Sequence, residues 1–295
     1  MKKTVLAVAL SLFTASALAA DNTASDWRDV DPDNLVLIDT QYGQTVLELY
    51  PAFAPKAVER FKALTRAHFY DGQSFYRVID GFVAQGGIGE GTAATGGATG
   101  NDDRNKAWPP LKAEFDRPIG PDVTFTKVDN ADLFAPVIGH ANGFPVGQDP
   151  KEGKEWIIHC PGTLAWARDN DPDTASTEFY IVIGQAPRRL DRNLTAFGRV
   201  LSGQQYLQKL NRGDPAVDSG VIADLSKRDA IKSVRMVSDI PEAARPHYQV
   251  MRTEGPAFAK WKNDRINPAP GFYVRQPAPV LDICLASVPT RLAPK

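Results

Sequence analysis

The sequence is poor in the side chains that carry most nucleophilic, redox and metal chemistry. It has two cysteines, Cys160 and Cys284, and no CxxC, so it is neither a disulfide scaffold nor a thiol oxidoreductase. Its four histidines (His68, His140, His159 and His247) are scattered without an HExxH or similar spacing, and each reads as a surface or core residue rather than a metal ligand. GxSxG is absent, and the acidic residues form no pair that local spacing would place in one cleft. A basic excess is missing too. The formal net charge is −1, which gives nucleic-acid binding no electrostatic support.

What is present begins with "MKKTVLAVALSLFTASALAA", which has two lysines, an apolar run and the small-x-small triplet Ala17-Leu18-Ala19. That pattern is a secretory signal peptide, residues 1–19, cleaved after Ala19. A retained anchor would need ~20 apolar residues, and the run from Thr4 to Ala20 is shorter and broken by Ser and Thr. Cleavage removes Lys2 and Lys3 and takes the formal charge from −1 to −3. It leaves no membrane span and implies a periplasmic or otherwise exported chain. In that oxidising setting a cysteine pair is bridged more often than free.

The mature chain divides by pattern. Residues 21–32 are polar and read as loose. "LVLIDTQYGQTVLELY" (35–50) is a hairpin signal with its turn at Tyr42-Gly43. "APKAVERFKALTRAHF" (54–69) places Ala54, Val58, Phe61 and Leu64 on one face of an amphipathic helix. Residues 101–160 are irregular and too long for an ordinary connection, so they read as a structured insertion or functional loop. Short strands resume with "GTLAWAR", "EFYIVIG", "TAFGRVL" and "IKSVRMV", with a short helix at 203–211. Many short strands and few helices indicate a mainly β, antiparallel architecture, closed or sandwiched. From Pro241 the last 55 residues hold nine of the 23 prolines, with a helical candidate near 242–267. This 241–295 extension reads as packed on the domain, because a mobile one would expose several aromatics.

The glycine run "GGIGEGTAATGGATG" (86–100) contains Gly89-x-Gly91-x-x-Ala94, a loose dinucleotide fingerprint. That fingerprint requires a helix next, and Gly96, Gly97 and Gly100 forbid a good one. No cofactor is expected. The preceding segment, "SFYRVIDGFVAQGG" (74–87), is more informative. Strict strand alternation puts Phe75, Arg77 and Ile79 on one face and Tyr76 and Val78 on the other, while Val83 shares a face with Gln85. A guanidinium and an amide among large apolar side chains need compensation or a use. Singly, Arg77 reads as a surface ion pair and Gln85 as a hydrogen-bonding edge residue.

Taken together, "FYRVIDGFVAQGG", "TGG", "GTLAWAR…STEFYIVIG" and "LDRNLTAFGRVLSG" resemble, in order, the signatures of cyclophilin-type peptidyl-prolyl isomerases. "TVLELYPAFAPKAVERFKAL" is similar to the family's start. The resemblance implies a domain at 33–240 with an insertion at about 101–160. Its fold would be an eight-stranded antiparallel barrel capped by two helices, with the site on the outer wall. Carried over by position, it implies Arg77 as the catalytic arginine and Gln85 as its amide partner. Phe82, Val83, Tyr180 and Leu190 would form the proline pocket, with Arg168 and Glu178 as further peptide contacts. The partners would be proline-containing segments of exported proteins.

The residue types suit such chemistry. An X-Pro bond turns over in tens to hundreds of seconds unaided, against a barrier of ~18–20 kcal/mol. Rotation needs no nucleophile, metal or proton acceptor. It needs a donor to the pyramidalising imide nitrogen and a pocket that holds the ring. The chain departs from the family at Glu178 (usually glutamine), Tyr180 (commonly phenylalanine), Arg168, Arg189 and Leu194. A proline-peptide binding module or chaperone with little turnover is therefore the alternative. Asp191 reads as a turn residue. For Cys160 and Cys284 two readings stand: a disulfide tying the tail to the barrel, or two buried thiols. The insertion leaves after the glycine-rich stretch and returns before "GTLAWAR", so it either borders the cleft or packs on the barrel.

Overall fold

The computed structural model describes residues 24–89 and 107–294. The signal-peptide stretch, most of the glycine run and residues 101–106 lie outside the described residues.

The main sheet is antiparallel throughout. Its order is Asp229–Ala230, Ser74–Val78, Val83–Gly87, Phe179–Val182, Thr163–Trp166, Ala196–Ser202, Gly43–Leu49, Leu35–Thr40 and Ser233–Met236. The two edge segments are one continuous stretch of chain. Between them Ile231 N–H donates to Gln73 O on one side, and Lys232 N–H donates to Asp39 O on the other. One strand thus joins both edges and the sheet curls into an eight-stranded barrel, as the resemblance implied.

Alternation along each strand sends Val36, Ile38, Leu47, Leu164, Phe179 and Ile181 inward. The helix Pro55–Arg66 starts on a proline, which fits a first helical turn, and buries Val58, Phe61 and Leu64 against that interior. Phe61 stacks edge-on to Trp166 and Phe179, so the helix plugs one end of the barrel. The second expected helix is a single turn, Gln204–Leu207, with Leu207 buried in the same core.

Three expectations are corrected. The described part of 101–160 is not irregular but a structured insertion, one of the two readings: from Arg117 to Ile157 it forms a five-stranded antiparallel sheet. Its strands are short and half-polar. What stabilises them is tertiary, since Phe144, Val146 and Ile157 pack against Val83, Ala165, Tyr180 and Val182 on the outer wall of the barrel. The polar segment near residue 27 is not loose: Trp27–Asp29 pairs with Tyr248–Met251, which pairs with Thr290–Leu292. The tail is only partly packed. Phe258 of helix Pro256–Ile266 lies against the barrel exterior, and Leu281, Ile283 and Ala286 cover Ile138, Trp156 and Ile158 of the insertion. Phe272, Tyr273 and Val274 remain exposed.

Cys160 and Cys284 are bridged. Cys160 stands where the insertion re-enters the barrel, so the bridge ties the tail to the junction of insertion and barrel.

Candidate active site

The place of Arg77 is decided by a β-bulge. Phe75 is opposite Gly86, but the next pair is Arg77 with Gln85, so Tyr76 is an extra residue on its strand. Phe75 and Val78 consequently both point into the barrel core, and Arg77 turns to the outer wall. Strict alternation, which put Arg77 on the face of Phe75, fails at this residue. On the partner strand, without a bulge, Val83 and Gln85 share the outer face as expected.

Arg77 donates from Nε to Ser219 O at 2.8 Å and from Nη1 to Gln85 Oε1 at 3.0 Å. Both acceptors are neutral, and among the described residues no carboxylate acts on the guanidinium. Burial pulls its pKa below the ordinary arginine value, with the nearby Tyr76 working against that shift, yet an arginine remains charged at neutral pH. Ser219 is presented by a turn in which Asp218 and Ser219 have φ of 49° and 54°. Left-handed non-glycine residues cost on the order of 1–3 kcal/mol each, so surrounding contacts hold this turn in place. Gln85 donates onward to the Tyr76 hydroxyl at 2.5 Å, which fixes which end of its amide faces Arg77.

Seven of the eight candidate positions line one pocket of 180 Å³: Arg77, Gln85, Phe82, Val83, Tyr180, Leu190 and Arg168. Ala167 and Leu194 complete the lining. Arg168 does not offer a free guanidinium. It donates to the carbonyls of Asn193, Asp169 and Asn170 and lies over the Phe115 ring, so it shapes the wall.

Glu178 is the corrected position. It is buried beneath the strand Val83–Gly87 and accepts from the backbone N–H of Ile88 at 2.9 Å, away from the pocket lining. Gly87 makes room for it: its φ is 146°, and a Cβ there would fall 2.3 Å from Glu178 Oε2. Burial pushes the Glu178 carboxyl up to about 8, against the hydrogen bonds from Tyr76 and Ile88 that favour its charged form.

Behind Tyr180 lies a residue that sequence reasoning assigned no role. His159 is fully buried, with Nδ1 3.0 Å from Asp191 Oδ1 and Nε2 2.9 Å from the Tyr180 hydroxyl. A lone histidine in "WIIHCPG" carries no local signal of this. Asp191, read as a turn residue, does hold the turn by accepting from Arg188 Nε at 2.7 Å.

Residues 35–236 match the sequence profile of the family described as cyclophilin type peptidyl-prolyl cis-trans isomerase/CLD. The chain belongs to this family. A probable peptidyl-prolyl cis-trans isomerase of Brucella suis is 29% identical over 221 residues, covering 73% of this chain and 89% of that protein. A peptidyl-prolyl cis-trans isomerase of Helicobacter pylori is 30% identical, covering 60% of this chain and 80% of its own. The crystal structure of cyclophilin AquaCyp293 from Hirschia baltica is similar with a TM-score of 0.70 at 31% identity, over 90% of this chain and 93% of that one. That coverage exceeds the 35–236 stretch, so the likeness extends into the flanking segments. The pocket lined by Arg77 is smaller than other cavities, among them one of 460 Å³ beside Ser74 and Arg228 and one of 380 Å³ beside the disulfide. Neither of these holds any of the eight candidate positions, and Arg199 in the second is already paired with Glu48.

Proposed function

We propose that this cyclophilin rotates X-Pro bonds in exported polypeptides, with Arg77 as its catalytic residue and Phe82, Val83, Tyr180 and Leu190 holding the proline ring. The single observation that carries this is a half-buried guanidinium held by two neutral acceptors at the edge of an apolar pocket. The pocket's 180 Å³ is well below the ~300–1,000 Å³ of cofactor or drug-sized sites, so it suits one side chain.

Arg77 uses two of its five N–H groups on Ser219 and Gln85, which leaves others for the substrate. As the imide twists, resonance is lost and the nitrogen lone pair becomes an acceptor. A donor fixed beforehand and poor in water binds that twisted state better than the planar one. Five decades of acceleration need ~7 kcal/mol of such preference.

Export to the periplasm is part of the proposal. The signal-peptide pattern and the disulfide support it, and among the described residues no helix is long and apolar enough to cross a membrane. The catalytic unit would be 33–240, and 241–295 an extension partly packed on it.

The test is isomerisation of short X-Pro peptides. Arg77→Ala is expected to lower kcat about 10²–10³-fold, the cost of removing one preorganised donor, with a smaller change in KM. Arg77→Lys should not restore the rate, because an ammonium cannot bond Ser219, Gln85 and the imide in one plane. Unchanged turnover in Arg77→Ala would remove Arg77 from the mechanism. Wild-type protein that binds such peptides without accelerating them would be a binding module.

A further inference from the structure

Two features of the pocket depart from the family pattern: a tyrosine where phenylalanine is common, and an insertion packed beside it. They meet at His159, two residues after the insertion's last strand, Lys154–Ile157. A carboxylate can only accept. Nδ1 therefore donates to Asp191, and with His159 as the neutral imidazole Nε2 accepts from the Tyr180 hydroxyl. Burial, aided by the Asp191 charge, holds Tyr180 well above the ordinary phenol pKa, so it stays a donor.

The chain of contacts continues into the insertion. Asp191 accepts the His159 backbone N–H at 2.8 Å through Oδ1 and Arg188 Nε at 2.7 Å through Oδ2. Arg188 then grips both oxygens of Asp132, at 2.8 and 2.9 Å. Asp132 belongs to the insertion, and the turn Arg188–Leu190 supplies Leu190 to the pocket. The link thus runs from the insertion, under one pocket wall, to the Tyr180 ring. His159, Asp191, Arg188 and Tyr180 are all buried, so these bonds are little screened and an unpaired member is costly.

We propose that His159 and Asp132 are positioning residues of the isomerase site, through which the insertion sets the tilt of Tyr180 and the seat of Leu190. This rests on the assignment of Tyr180 and Leu190 to the proline pocket. A phenylalanine here is held by packing alone, whereas the hydroxyl bond and the near-parallel His159 ring, 18° apart, select one tilt. Arg77 is outside the network, so the effect falls on capture of the proline segment rather than on rotation. A link that only staples the insertion in place would change stability and leave capture alone.

The experiment measures kcat, KM and thermal midpoint for an X-Pro peptide, and its Kd by titration. The variants are Tyr180→Phe, His159→Leu, their double, and Asp132→Asn. Each single change at 159 or 180 is expected to raise KM and Kd about five- to tenfold, the worth of one buried hydrogen bond, with kcat within about twofold. The double variant should be no worse than the worse single, because both remove the same bond. Asp132→Asn should raise KM about threefold from outside the pocket. Folded Tyr180→Phe and Asp132→Asn proteins with wild-type KM and Kd overturn the proposal, as do effects that multiply in the double. If His159→Leu does not fold, those two variants decide. Absent turnover with intact peptide binding would defeat the catalytic reading alone, and Kd would still judge the network.

Discussion

Replacing Cys160 and Cys284 by serine, or reducing the bridge, is expected to lower the unfolding free energy by roughly 4–5 kcal/mol. The crosslinked residues are 124 apart in sequence, and the chain entropy that a crosslink removes from the unfolded state grows with loop length. The bridge also holds Leu281, Ile283 and Ala286 over the insertion, where Ile138, Trp156 and Ile158 would otherwise meet water. A loss of that size moves the thermal midpoint down by on the order of 10 °C for a chain of this length. Urea unfolding with and without reductant measures it. Coincident curves would show that the crosslink contributes nothing beyond the packing around it.

The second large effect is a pH dependence that belongs to Glu178. Its carboxyl is raised from an ordinary 4.5 to about 8, chiefly by burial. Between those values the folded protein holds a proton that the unfolded chain has released. The native state therefore binds more protons, and stability falls as pH rises through this window and levels off above about 8. At ~1.4 kcal/mol per unit the full fall is on the order of 4–5 kcal/mol. Glu178→Gln, the residue the family usually carries, is neutral throughout and should flatten this part of the profile, gaining most at pH 9. Unfolding free energies of both proteins at pH 5, 7 and 9 provide the check. Parallel profiles would mean that Glu178 titrates normally. The acid also stands near Tyr76, which orients Gln85 and so Arg77. Ionisation beneath the bulge thus lies close to the proposed catalytic hydrogen bond, and kcat measured across the same pH range reads that proximity.

Much of the fold was legible because it is local. The hairpin at 35–49, the helix at 55–66 and the strands around 163–202 are written in periods of 2 and 3.6 with turn residues between them. The pocket was legible only through the resemblance: Arg77, Phe82, Val83 and Gln85 fall within nine residues, and their proposed roles, like those of Tyr180 and Leu190, came from the family likeness of their segments. The insertion's strands were not legible. "FTKV" and "KEWI" are four-residue pieces without strong alternation, and they become strands because the barrel wall and the tail give them an apolar surface to cover.

By itself, then, the sequence determined a mainly antiparallel β chain and its amphipathic helix, since these depend on side-chain type and short-range spacing, while the closed barrel and the side chains proposed for the site entered through the family resemblance of its segments. Tertiary structure alone decided where Arg77, Glu178, His159 and Asp132 face or reach. The bulge at Tyr76 exists only through pairing with Val83–Gly87, and it turns Arg77 outward. Gly87, with room where a Cβ would stand, draws Glu178 beneath the strand. The return of the insertion brings His159 to Tyr180, and closure of the turn at 188–191 joins Asp132 to the pocket wall. Each is a contact between residues distant along the chain, and its energy comes from burial and hydrogen bonds that form only once the barrel has closed.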